Sequence, residues 1–279
     1  LLSLRSLYIL DLSSNQLQGQ LRSPLPFFFF FFNLDLSWNN FSSVMRALDL
    51  SWTNFAHPFL SLSSNKFHGQ IPESICNAKS LRVLDLSHNS LSGTLPQCFS
   101  TLSRTLGVLN LRRNNLIGTI FDKFSKYCRL QTLNLNENLL EGVIPMPLAN
   151  CTNLEVFDIG NNQIHDAFPC HLKKISNLRI LVLRSNKFYG SIGCEGPNDT
   201  WPMLQIVDLA SNNLSGRLSI KSLANSKFMM ADNKAYSELK YLHYNAGLGF
   251  PSYYQDTITV VSKGLQIELV KILTLFTSI

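Results

Sequence analysis

The sequence predicts an α/β solenoid, a right-handed stack of coils with a parallel β-sheet on the concave side and an irregular or 3-10 convex side. Three observations carry this. The string LDLSSNQL (Leu10–Leu17) returns as LDLSWNNF from Leu34, LDLSHNSL from Leu84, LNLRRNNL from Leu109, LNLNENLL from Leu133, FDIGNNQI from Phe157, LVLRSNKF from Leu181 and VDLASNNL from Val207. One asparagine per coil (Asn15, Asn39, Asn65, Asn89, Asn114, Asn138, Asn162, Asn186 and Asn212) sets a spacing of 24–26 residues. Four residues after it, seven coils place a glycine: Gly19, Gly69, Gly93, Gly118, Gly142, Gly190 and Gly216.

That period, with the pattern L-x-x-L-x-L-x-x-N-x-L, is the leucine-rich repeat signature, and each position has a physical role. In the coil from Leu81, Leu84 and Leu86 alternate as a short strand does and point inward, while Asp85 and Ser87 point out onto the concave face. Asn89 follows where the chain leaves its strand. Its amide offers both donor and acceptor to backbone groups that the turn leaves unpaired, so stacked coils share an asparagine ladder. The recurring glycines serve the backbone and are no phosphate cradle. Pro72, Pro96, Pro145 and Pro169 stiffen the path to the convex side. One coil cannot bury its leucines alone, so stability comes from its neighbours. Strands ~4.8 Å apart over roughly nine coils make an arc about 40 Å long.

The 279 residues are 45% hydrophobic and 15% charged, a folding composition. The net charge of +6 is scattered, which leaves no electrostatic footprint for nucleic acid. The longest conspicuous apolar block, Phe27 to Phe32, falls far short of the ~18 residues that cross a bilayer. The chain begins at Leu1 with no charged n-region and h-region, so it reads as a fragment.

The coils are expected over residues 1–218, with 22–64 irregular. There the six-Phe tract precedes a regular string and then LDLSWTNF from Leu48, whose ladder residue is Thr53. Two incomplete coils therefore share the length of one. Residues 219–275 hold no repeat string but are rich in aromatics (Phe228, Tyr236, Tyr241, Tyr244, Phe250, Tyr253, Tyr254), as a folded insertion would be. DTITVVSKGLQIEL from Asp256 alternates about Lys263-Gly264 as a hairpin does, and Leu269 to Leu275 reads as a short helix. Residues 276–279 then start a further, truncated coil.

Six cysteines stand one coil apart in successive pairs, which predicts Cys76–Cys98, Cys128–Cys151 and Cys170–Cys194. Loops of that size contribute roughly 3 kcal/mol each in the chain-entropy model. The competing reading is six buried thiols in a cytosolic solenoid. Neither C-x-x-C nor a Cys/His tetrad is present, so no metal site is expected. Glycosylation sequons at Asn40, Asn150, Asn198 and Asn213 agree with an oxidising, extracellular setting, although the first and last arise partly from the repeat itself.

No P-loop, nucleophile elbow or H-E-x-x-H string occurs, and no cofactor is implied. His165 and His171 read as solvated loop residues. Asp11, Asp35, Asp85, Asp158 and Asp208 share one register, which marks them as structural rather than as catalytic carboxylates. An enzyme is not expected. The concave positions that the repeat does not dictate are more informative: Trp38, Trp52, His88, Arg112, Arg113, Glu137 and Arg184, with Arg82 and Arg179 just before their strands. Trp, Tyr and Arg are common anchors in protein recognition, so these are candidate ligand contacts. The alternative for each is an ordinary solvated side chain.

The coil from Leu81 to Pro96 resembles the plant extracellular subclass of leucine-rich repeats. ANCTNLEVFDIGNNQIHDAFPC (Ala149–Cys170), NDTWPMLQIVDLASNNLSG (Asn198–Gly216) and YYQDTITVVSKGLQIELVKILTLFTSI from Tyr253 resemble plant receptor-like proteins of the disease-resistance type. The resemblance implies that 219–275 is an island domain and that the whole protein is a plasma-membrane receptor with its coils outside. It implies a microbial or plant peptide or protein ligand, read by the concave face and island, and signalling through a receptor-like kinase adaptor and co-receptor. Membrane attachment would lie in a C-terminal helix missing from this sequence. The family's use of the coils flanking the island adds Tyr253 and Tyr254 to Arg184 as ligand contacts. Three other readings stay open: a developmental peptide receptor, a soluble polygalacturonase-inhibitor-like protein, and a truncated, non-functional copy.

Overall fold

The computed structural model describes residues 9–21, 33–47, 58–194, 201–216, 242–245, 253–262, 265–270 and 272. Among them nine short parallel strands form one sheet in chain order: Ile9–Asp11, Asn33–Asp35, Phe59–Ser61, Val83–Asp85, Val108–Asn110, Thr132–Asn134, Val156–Asp158, Ile180–Val182 and Ile206–Asp208. The register is strict, with Leu84 level with Leu109 and Leu133 level with Phe157. The middle residue of each strand points into the solenoid and the outer two line the concave wall. Leu84, Leu109, Leu133, Phe157 and Leu181 are fully buried in one continuous core.

The asparagine ladder is built through hydrogen bonds that cross between coils. Asn138 Nδ2 donates to the carbonyls of Leu135 and Asn136 in its own coil and of Leu111 in the preceding one, and its Oδ1 accepts from the Leu116 amide. Asn65, Asn89, Asn114, Asn162, Asn186 and Asn212 repeat the scheme. Just before the asparagine the chain turns out of the sheet through a left-handed residue: Ser14, Trp38, Ser64, His88, Arg113, Glu137, Asn161, Ser185 and Ser211 have φ between 49° and 57°. None is β-branched, the type that tolerates this region least. The aspartate register is explained the same way: the carboxylates of Asp11, Asp35, Asp85, Asp158 and Asp208 each accept from the amide two residues on. Asn110 and Asn134 do the same where the coil lacks an aspartate.

A second parallel sheet, which the sequence reading did not foresee, runs along one flank. Its five strands are His68–Gln70, Ser90–Thr94, Asn115–Thr119, Leu139–Gly142 and Gln163–Ile164. Gly69, Gly93, Gly118 and Gly142, with φ between 78° and 84°, let the first four of these strands bend away toward the convex side, which carries short 3-10 turns at Glu73–Asn77, Met146–Asn150 and Cys170–Lys174. Three disulfides join neighbouring coils on that side, Cys76–Cys98, Cys128–Cys151 and Cys170–Cys194, with Cα separations of 5.8, 4.7 and 5.5 Å.

At the first irregularity, Asn33–Asp35 pairs directly with Phe59–Ser61. Asn65 Nδ2 reaches Leu36 O across that pair, and the string from Leu48 lies outside the described residues. The six-Phe tract, Trp52, Thr53 and the start of a truncated coil at 276–279 lie outside the described residues. Beyond the ninth coil, Ile258–Ser262 pairs antiparallel with Leu265–Leu269, and Ser262 stands opposite Leu265; Lys263 and Gly264, expected as the turn, lie outside the described residues. Leu269 closes that strand and does not open a helix; Val270 is a bend, and most of the expected helix lies outside the described residues. A second antiparallel pair, His243–Asn245 with Tyr253–Gln255, was not expected.

Candidate ligand-recognition site

The concave wall is not open over its whole length. From the third coil on, its first column reads Phe59, Val83, Val108, Thr132, Val156, Ile180 and Ile206, apolar in six of these seven coils. Residues of the 242–272 segment cover this column. Leu242, Ile258, Val260 and Ile272 pack with Val156, Ile180, Val182 and Ile206 into a buried cluster, and Tyr244 and Tyr254 pack on Phe59, Val83 and Val108. Burying an aliphatic side chain fully is worth about 1.5–3 kcal/mol, so the four aliphatics alone supply a substantial attraction. Leu242 N to Ile272 O (2.8 Å) closes the segment on itself. Gly107 belongs to the same fit, because a β-carbon there would overlap the Tyr244 ring.

Polar contacts fix the register of segment on wall. The Tyr254 hydroxyl donates to Asp85 Oδ2 (2.9 Å) and accepts from Asn110 Nδ2 (2.7 Å), while Asn110 Nδ2 also reaches Asp85 Oδ2 at 3.1 Å. Thr132 Oγ1 donates to Asp256 Oδ1 at 2.7 Å. Arg112, only 2% exposed, donates from Nη1 to Glu268 (2.9 Å) and from Nη2 to the Thr259 hydroxyl, with Glu137 a further 3.5 Å ion pair.

Burial sets the electrostatics. Asp85 is held above the usual carboxylate range by desolvation, against the hydrogen bonds from Ser87, Tyr254 and Asn110. Desolvation raises Asp158 to about 6, in spite of bonds from Asn136 and Gly160 and the nearby Arg112. It raises Asp256 to about 7, opposed by Thr132 and reinforced by Glu155 and Asp85. The Tyr254 phenol is pushed well above its ordinary value by burial and by the Asp85 and Asp256 charges. Desolvation, with Arg112 and Arg113, lowers His88.

The candidate contacts fall into separate places. Arg112 and the Tyr254 hydroxyl are occupied by intramolecular partners, so they hold the segment rather than stand open. Trp38, His88, Arg113 and Glu137 occupy the left-handed turn at the strand ends, along one rim of the wall. Trp38 is 64% exposed. Arg113 Nε bonds Glu137 Oε2 at 2.9 Å, beside half-buried His88. Arg184 lies in the wall of the eighth coil and pairs with Asp208 at 3.4 Å. Tyr253 contributes backbone pairing with Asn245, and Trp52 is outside the described residues. Of the sequons, Asn40 and Asn150 are half-buried and Asn213 is exposed; Asn150 Nδ2 donates to Phe124 O, and Asn198 is outside the described residues. Glu73 lies beside Cys76 and Cys98, but sulfurs bonded to each other are not thiolate ligands.

The sequence reading missed the apolar column, and a signal for it was present. Val83, Val108, Val156, Ile180 and Ile206 each precede the inward-pointing strand residue, Leu84, Leu109, Phe157, Leu181 and Val207. A wall facing water has no use for a β-branched aliphatic in coil after coil, so this run marks a covered surface.

Leucine-rich repeat profiles match residues 6–28, 59–78, 80–102 and 128–174. The chain is 45% identical to Receptor-like protein 7 of Arabidopsis thaliana over 99% of its own length and 38% identical to Receptor-like protein 35 of the same plant over 97%. It spans about 30% of the length of these relatives. The ectodomain of the Arabidopsis receptor kinase HAESA, solved with the peptide hormone IDA and the co-receptor SERK1, superposes with a TM-score of 0.71 at 28% identity, over 79% of this chain and 36% of that one. The chain is thus a plant leucine-rich repeat protein, homologous over nearly its whole length to the receptor-like proteins.

Proposed function

We propose that this chain is the ligand-recognition region of a plant cell-surface immune receptor-like protein, displayed outside the plasma membrane and signalling through a receptor-like kinase adaptor and co-receptor. The observation that carries the reading is the wall itself: a rigid, disulfide-tied parallel sheet on which the 242–272 segment fills the middle and later coils. Recognition then belongs to the surfaces left free around that plug. These are the early wall and rim from Trp38 through His88, Arg113 and Glu137, and the outward side of the hairpin, where Leu265 is 70% exposed. A microbial or plant peptide or protein that spans rim and hairpin meets an aromatic anchor, a mixed-charge pair and an apolar edge, the composition that binding hot spots favour. No catalytic step is assigned. The test is co-precipitation of the full-length gene product with receptor-like kinases, before and after exposure to microbial extracts, for wild type and W38A. Ligand-dependent association lost in W38A supports the reading, and no association in either state removes it.

A second reading, a developmental peptide receptor, is favoured by one observation, the peptide hormone bound to the superposing receptor kinase ectodomain. Association triggered by an endogenous secreted peptide and not by microbial extracts would select it.

A further inference from the structure

The interface between segment and wall is apolar at its centre, yet it encloses carboxylates from both sides. Asp256 is 5% exposed, and its carboxylate accepts from a neutral hydroxyl, that of Thr132. The charges facing it are Glu155 and Asp85 from the wall, which repel it, and His243 from the segment, which attracts it. Glu155 is itself paired with Arg179 at 3.2 Å. Asp158 is fully buried; one oxygen accepts from Asn136 Nδ2 and the Gly160 amide, and the other, Oδ2, has no hydrogen-bond partner. It faces Arg112 and Asp208, the latter already paired with Arg184. An orphaned carboxylate oxygen in a dry interface is costly as an anion and much less so with a proton on it.

We propose that the 242–272 segment is held on the concave wall by a proton-dependent latch: Asp256 and Asp158 are neutral while the segment is docked and ionise when it lifts away. Lifting hydrates both carboxylates and returns them to the ordinary carboxylate range, releasing up to two protons to solvent at pH below about 6 and fewer above. The sign follows from linkage. Both groups have their acidity weakened in the docked state, so docking is strongest at pH below the free carboxylate range. It weakens as pH rises through about 6 for Asp158 and about 7 for Asp256, and levels off above. What is uncovered is the apolar column from Val83 to Ile206, a surface able to take a ligand in place of the segment. The latch is thus a means by which external pH sets how strongly an intramolecular occupant competes for the wall.

Hydrogen exchange on the disulfide-intact full chain tests this without any ligand, so its outcome is independent of the receptor reading. Protection of the Ile258–Ser262 amides, corrected for intrinsic exchange rate, is followed from pH 5.5 to pH 7.5. The expected result is a fall on the order of tenfold or more in the wild type, with the fall abolished or much reduced in D256N and reduced in D158N. Protection of the wall amides Leu109 and Leu133, which sit in the solenoid core, serves as the reference and stays constant. Flat wild-type protection overturns the proposal, as does an undiminished fall in both variants. Should D256N fail to fold, the wild-type profile and D158N still decide the matter.

Discussion

Arg112, in the fifth coil, reaches Glu268 at 2.9 Å across 156 residues of sequence. It also holds the Thr259 hydroxyl on the facing strand of the hairpin, so one guanidinium clamps both strands to the wall. Its planar fork suits this two-point contact, which a lysine could not reproduce.

Replacing Arg112 by methionine keeps most of the packing and removes the clamp. Because Glu268 is partly exposed and can find water, the loss is expected at about 1–3 kcal/mol, less than for a fully buried pair. It should appear as faster exchange throughout Ile258–Leu269, with the core of the wall unchanged.

The asparagine ladder predicts a strong position effect. Asn138→Ala strands the buried Leu116 amide and takes one donor from each of the Leu111, Leu135 and Asn136 carbonyls, which keep those from Asn114, Asn162 and the Arg113 amide; it is expected to cost roughly 1–3 kcal/mol. Asn15 makes its bonds at the exposed first coil, and Asn15→Ala is expected to cost less than about 1 kcal/mol. Chemical denaturation of the two variants side by side reads the difference.

Gly107→Val drives a branched side chain into the Tyr244 ring and should expel the segment while leaving the coils stacked. Gly193→Ala, which points into open space, is the matched control and should be nearly silent. Proteolytic susceptibility of residues 242–272 distinguishes them. If Gly107→Val is as resistant as wild type, Tyr244 does not pack where the structure places it.

The double variant Cys128→Ser/Cys151→Ser removes a 23-residue cross-link. It is expected to lose roughly 3 kcal/mol of stability. Non-reducing peptide mapping of the wild type should recover all three pairs, each joining adjacent coils.

The coils were legible in the sequence because a leucine-rich coil repeats one solution: Leu84, Leu109 and Leu133 each do the same work, and Asn89, Asn114 and Asn138 likewise. The one-coil cysteine spacing made the pairing readable for the same reason. What escaped is non-periodic or long in range. Nothing adjacent to Arg112 in sequence names Glu268 as its partner, so it reads as a free recognition residue until the segment folds back over the wall. Tyr254 hides in the same way behind Asp85. The flank sheet was missed because its strands, such as Asn115–Thr119, carry a turn-like Gly that masks their extended backbone.

A double-mutant cycle between Asp85 and Tyr254 tests most directly whether the segment sits on the wall. Asp85→Asn keeps the oxygen that caps the Ser87 amide, and Tyr254→Phe keeps the ring; each also loses its own bond from Asn110 Nδ2, and the cycle isolates what the pair shares. With segment opening measured by hydrogen exchange at fixed pH, the two substitutions should couple by about 1–2 kcal/mol. Strictly additive effects would mean that the two side chains never meet, and that the concave wall is open.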